Sequence, residues 1–279
     1  MENSQSPLKK YKRQPKILID LPSKGKYTPT GTTYNDNTEE LKVFSMTPND
    51  EILFKTPDAM INGEATVETI KSCVPEILNP WQIPTLDIDT ILVAIRMASY
   101  GNTMNITHRC RSCNEENAYE ISLQPYIDSY KSRVFTDVVQ VNDLIFKIRP
   151  LNYKEYTEFQ KTSIALRRSL STILNRKMED AEKEKALDPI YKQIAQNSLR
   201  IILQNIESIS VDGETETNKQ EIKNFFDDND VSYFQKIKDL IEANASAFEP
   251  PKHKVKCPAC DKEDDISITL DQSDFFGKG

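Results

Sequence analysis

The chain has 279 residues, enough for one large domain or two smaller ones, and its 38% hydrophobic content with 11 Phe and 11 Tyr is enough for a real core. It has only 7 Gly and neither a G-x-G-x-x-G nor a G-x-x-x-x-G-K-[ST] run, which argues against a phosphate-cradling nucleotide fold. The net charge of −7 speaks against a general nucleic-acid coat, and no stretch approaches the roughly 18 apolar residues of a membrane span.

The N-terminal stretch MENSQSPLKKYKRQPK lacks the apolar segment of a signal peptide, so a cytosolic origin is expected. Thiols stay reduced there, so paired cysteines point to metal binding or catalysis rather than to disulfides. Lys9, Lys10, Lys12, Arg13 and Lys16 make residues 1–16 a basic arm, read as a solvated tail or as a segment that orders on a partner.

In chain order, residues 17–19 and 41–46 read as strands around the turn PSKG, where Pro sets φ and Gly allows a positive φ. TPNDEILFKTPDAM (47–60) opens a helix, with Thr47 as N-cap, Pro48 at the first position, Asp50 and Glu51 facing the dipole, and Pro57 as its stop. Residues 66–78 form a second helix with Val67, Ile70, Cys73 and Val74 on one face; Cys73 is a core residue there. Residues 87–101 form a third, capped by Asp87 or Asp89 and closed by Gly101. Strands flank the first cysteine pair, and 134–151 holds two more, joined near VND.

From 152 to 245 the pattern is helical. Apolar residues step by three and four through 152–174 and 187–206, with 175–186 as an extension or a solvated connector. VDGETETNKQ (211–220) reads as an exposed turn, followed by two short helices, the second at 231–246. EPPKHK then leads into a strand-like DISITL at 265–270.

Four of the five cysteines fall into matching contexts. MNIT, Cys110-x-x-Cys113, a polar loop and AYEISL match HKVK, Cys257-x-x-Cys260, a polar loop and DISITL. Each is strand, CxxC turn, loop, strand, the form of a zinc knuckle, and two knuckles supply the four thiolates of a closed tetrahedral Zn²⁺ site. Residues 114–256 lie between the pairs, but closure entropy grows only logarithmically with loop length, so a compact insert leaves the site feasible. The expected ligands are Cys110, Cys113, Cys257 and Cys260, with His108 and His253 outside the first coordination sphere. Neither CxxC opens a helix after a strand, which disfavours a redox pair.

Four thiolates leave no open metal position, H-E-x-x-H is absent, and both histidines sit beside the knuckles. A non-enzymatic protein is therefore expected.

Three blocks carry a family likeness: ILIDLPSKGKYTPTG, MTPNDEILFKTPDAMINGEATVETIKSCV, and IDTILVAIRMASYGNTMNITHRCRSCNEEN. Their order resembles the T4-type bacteriophage baseplate protein family across residues 17–125, and IFKIRPLNYKEY (145–156) also fits. The resemblance implies a baseplate hub assembly protein of a contractile tail, acting as chaperone, scaffold or structural subunit. It implies tail or baseplate partners such as hub or tape-measure subunits, and action in the host cytoplasm or in the virion baseplate. It brings no catalytic residues.

The rival reading is a zinc-ribbon nucleic-acid-binding regulator of a phage. Arg109, Arg111, Lys254 and Lys256 favour it; Glu115, Glu116, Asp261, Glu263, Asp264 and Asp265 oppose it.

The expected architecture is α+β, a mostly helical body with short antiparallel strands and a split zinc-ribbon-like knuckle pair. Its parts are an arm (1–16), an N-terminal β/helical part (17–103), a first knuckle (104–125), a β-plus-helical insert (126–250), and a second knuckle with a C-terminal strand (251–279).

Overall fold

The structure, a computed structural model, describes residues 11–56, 61–268 and 275–276. Strands β1 (Pro15–Ile19) and β2 (Leu41–Phe44) pair antiparallel, Ile17 opposite Val43 and Ile19 opposite Leu41. Alternation turns Ile19, Leu41 and Val43 inward while Leu18 faces out at 56% exposure. The strand thus begins at Pro15, inside the segment read as an arm. Arg13 just before it donates to the carbonyls of Ser45 and Ser72 at 2.5 and 3.1 Å.

Helix α1 (Pro48–Leu53) starts as its sequence predicts. Thr47 and Asp50 cap each other's backbone N–H groups, at 3.3 Å and 2.6 Å. The stop expected at Pro57 lies outside the described residues. Helix α2 (Glu64–Cys73) buries Val67, Ile70 and Cys73, so the unpaired cysteine packs in the core, where desolvation pushes its thiol up to about 12.

Helix α3 (Thr85–Tyr100) is apolar nearly all round and forms the centre of this core. Gly101, at φ 96°, closes it. Its start corrects the sequence reading, because neither Asp87 nor Asp89 is the cap. The N-cap is Pro84, and the Thr85 N–H donates to the Leu151 carbonyl at 2.9 Å. Asp87 is fully buried inside the first turn and accepts from Ser23 N–H (2.7 Å) and Ser23 O–H (2.6 Å). The Leu-Pro-Ser-Lys-Gly turn is therefore latched to α3 through its serine.

Hairpin β3–β4 (Thr103–Arg109, Glu116–Ser122) leads into α4 (Gln124–Lys131), a short helix that periodicity did not reveal. Pro125 opens α4, and Tyr126, Ile127 and Tyr130 bury against α3. The last hairpin, β9–β10 (Lys252–Lys256, Glu263–Ser267), returns to this same core with Ile266 and Ile268. Thr269 and Leu270 of the expected final strand lie outside the described residues. Phe275 and Phe276 are buried here too, Phe276 stacked on Phe54 at 4.4 Å.

Between the two hairpins the chain builds a second core. Strands β5 (Val138–Val141), β6 (Leu144–Ile148), β7 (Ile206–Val211) and β8 (Glu214–Glu216) form an antiparallel sheet in that order. The last two strands correct the all-helical reading of 152–245. Asp212 and Gly213, both at positive φ (49° and 85°), make the VDGE stretch a tight strand connection rather than a free turn. Helices α7 (Lys219–Asp228) and α8 (Val231–Ala247) cover the sheet, with Phe225, Phe226 and Tyr233 gathered around the fully buried Phe146.

Helices α5 (Tyr153–Leu174) and α6 (Asp180–Asn205) pack on each other as a hairpin, so residues 180–186 extend the second helix. Phe159, Ser163, Leu166, Leu170 and Ile173 follow alternating four- and three-residue steps, as do Leu187, Ile190, Ile194, Asn197 and Ile201. This is the seam of a coiled coil. The Asn197 amide donates to Ser163 Oγ at 3.0 Å, a polar pair that fixes register at some cost in stability.

The fold is thus mixed, with eight helices and short antiparallel strands among the described residues. No helix among them is long and apolar enough to cross a membrane.

Candidate metal centre

The two CxxC turns have the same backbone hydrogen bonds. Cys110 N–H donates to the Glu115 carbonyl and Asn114 N–H to the Cys110 carbonyl, both at 2.9 Å. Cys257 to Lys262 and Asp261 to Cys257 repeat both bonds at the same length. Asn114 (φ 63°) and Asp261 (φ 59°) take the left-handed conformation that reverses each chain, one that Asn and Asp tolerate best among residues with a Cβ.

The turns face each other. Cys110 Sγ lies 3.7 Å from Cys260 Sγ, and Cys113 Sγ lies 3.6 Å from Cys257 Sγ. All four sulfurs fall within 4.8 Å of one another. A tetrahedral zinc with Zn–S of about 2.3 Å requires sulfur separations of about 3.8 Å. The donor set and its spacing fit a closed four-thiolate site.

The electrostatics of the metal-free cluster favour a dication. The backbone N–H groups of Cys113 and Ser112 lower the Cys110 thiol to about 6. Glu115 N–H pulls Cys113 the same way, but desolvation and the three neighbouring sulfurs outweigh it and push that thiol up to about 12. Cys260 is also raised against its N–H donor, Lys262, by desolvation and by Cys110 and Cys257. The Cys110 thiolate forms easily while Cys113 and Cys260 resist, so a bound dication would offset the repulsion and release protons.

A family model described as "T4 bacteriophage base plate protein" matches residues 15–277. The chain belongs to that family. No curated protein and no solved structure matches it. The match covers nearly the whole base plate protein, including the helices and second hairpin that the three sequence blocks did not reach.

Two side chains to which sequence reading gave no part in the site tie the knuckles of this base plate protein together. Asn117 and Asp264 each lie four residues after the second cysteine of their pair. The Asn117 amide donates to Cys257 Sγ at 3.5 Å. Asp264 bonds His108 Nε2 at 2.8 Å and accepts from Arg111 N–H at 3.4 Å. The His108 bond and the Arg111 contacts hold its carboxyl below the usual range. Aligning the two motifs by their cysteines would have singled out this position.

His108 thus buttresses the cluster from outside. His253 stacks on Tyr126, with ring centroids 5.1 Å apart, and burial lowers its pKa.

The basic residues around the cluster have acidic neighbours. Arg109 pairs with Glu116 (3.3 Å), Arg111 with Asp264 (3.5 Å) and Lys256 with Asp261 (2.7 Å). Lys254 lies opposite Asp265 in the hairpin register.

Proposed function

We propose that this base plate protein is a non-enzymatic hub assembly factor, a chaperone, scaffold or structural subunit of a contractile tail. In this reading Cys110, Cys113, Cys257 and Cys260 hold one structural Zn²⁺. The observation that carries the reading is the convergence of four sulfurs from two turns far apart in the sequence of a chain whose family is a base plate family. Four thiolates fill a tetrahedral metal and leave no position for water or substrate, so the ion's work is to fasten chain segments. Its partners are other tail proteins, hub or tape-measure subunits among them, met in the host cytoplasm during assembly.

The nucleic-acid reading loses support at the residues that favoured it. Three of its four basic side chains are already paired with carboxylates, and the fourth lies opposite one.

Elemental analysis of the purified chain should find one zinc, lost together with thermal stability in Cys257→Ser. Phage lacking the protein should accumulate unfinished tails, rescued by the wild-type chain and not by that variant. A zinc-free wild-type protein, or rescue by Cys257→Ser at wild-type level, contradicts the proposal.

A further inference from the structure

The two cores meet along a cleft of about 380 Å³ on a side of the molecule that the cysteine cluster does not use. Leu86, Leu151, Phe135, Ile241 and Phe248 make its walls apolar, and Tyr156 stands at it with 41% of its surface exposed. The polar wall residues Asn244 and Asn205 are occupied. Asn244 exchanges two hydrogen bonds with the Thr136 backbone at 2.9 and 2.8 Å, and the Asn205 amide donates to the Ile201 carbonyl at 2.8 Å.

One charged group remains. Asp89, partly buried on α3, accepts no hydrogen bond and makes no ion pair among the described residues. The cation it feels is Arg133, which does not reach it; that guanidinium lies over the Tyr130 ring at 4.5 Å with a buried Nη1 that has no partner. Desolvation raises Asp89 to about 6. A carboxylate held in an apolar cleft without a partner is costly to the isolated chain, and an incoming cation relieves that cost.

We propose that this cleft docks a lysine or arginine side chain, carried on an apolar stretch of another tail polypeptide, with Asp89 receiving the cation. The long hydrocarbon stem of such a residue covers the apolar walls while its head meets the carboxylate. The charge also confers selectivity, because an acidic or neutral residue at that place leaves Asp89 buried and unpaired. That the partner is a tail protein rests on the assembly reading above; the preference of the cleft for a cation does not.

The full zinc-loaded chain is titrated with 4-phenylbutylamine and with its neutral counterpart 4-phenylbutan-1-ol, following labelled methyl groups of Leu86, Leu151 and Ile241 by NMR. The amine should shift them at concentrations at least tenfold lower than the alcohol. Asp89→Asn should erase that difference while leaving alcohol binding in place and the melting temperature equal or higher. Equal response to amine and alcohol, or an amine preference that survives in Asp89→Asn, overturns the site.

A photo-crosslinking residue at position 156 during infection then reads the partner. A crosslinked peptide with a lysine or arginine among apolar residues supports docking, and no crosslinked peptide, or one without a basic residue, overturns it. Such a basic peptide from a protein outside the tail would leave the cleft standing and remove the assembly reading instead.

Discussion

The two cores of this protein are closed by opposite means. The second runs through one continuous stretch, from Phe135 to Ile241, and is held by a four-stranded sheet and aromatic rings around Phe146. The first joins residues 17–130, with Tyr153, to residues between 248 and 276, so its parts are distant in sequence and meet at the cysteine cluster. A contiguous core closes shorter loops than a discontinuous one, and a bond at the seam offsets the modest extra closure cost of the latter. The cysteines lie at the seam of the core that is discontinuous in sequence.

The largest effect that would break this contrast is metal removal. Structural zinc in small domains is worth about 10–16 kcal/mol in apparent binding energy. Chelation, or Cys257→Ser, should lower melting of the first core by more than about 10 °C and leave the second core's transition in place. Differential scanning calorimetry should then show two separated transitions. Melting of both cores together would show that the second core depends on the first.

Phe146→Ala is the converse test. Emptying the centre of the aromatic cluster should cost about 3–5 kcal/mol, confined to the second core, with zinc content unchanged. Circular dichroism follows that loss. Trp81, the single tryptophan, stacks on Tyr153 beside the first core and should hold its fluorescence through it.

The third test uses pH. Burial raises Asp87 from an ordinary 3.8 to about 7, against the pull of its Ser23 hydrogen bonds. Below about pH 4 folded and unfolded chains both hold the proton. Between about 4 and 7 the unfolded chain releases it while the folded one keeps it, so stability falls as pH rises, by up to about 4 kcal/mol, and then levels off. Denaturant midpoints for the wild type and Asp87→Asn at pH 4.5 and 7.5 should differ in slope by that contribution, the wild type losing more. Equal slopes would show an ionised Asp87 throughout.

The smallest expected effect is Thr47→Ala, which removes one half of a capping box and should cost about 1 kcal/mol in the first core's melting.

Much of this was legible in the residues, and the gaps have physical causes. The Thr47 cap, the inward face of α2 and the two cysteine turns were readable because each depends on neighbours within a few positions. Ile206–Val211 was not readable as a strand, since it continues an apolar helical run without a break and only pairing with β6 decides its form. Helix α4 is too short to show a period and is held by packing on α3. Asp87 looked like a cap because aspartate usually is one at that place; its partner Ser23 lies 64 residues away. The convergence of the cysteines was readable from their matched flanks, but the Asn117 and Asp264 ties depend on how the two turns face each other.

A metal held as proposed, joining residue 113 to residue 257, would also make a ring of the polypeptide between them. With the proposed metal bound, a single protease cut in the connection between α5 and α6 opens that ring, and the pieces stay joined both by the metal and by the β6–β7 pairing of the second core. The denaturant concentration at which the nicked protein parts on a sizing column should be lower with chelator than without it, and the difference would report the metal's share of the joint.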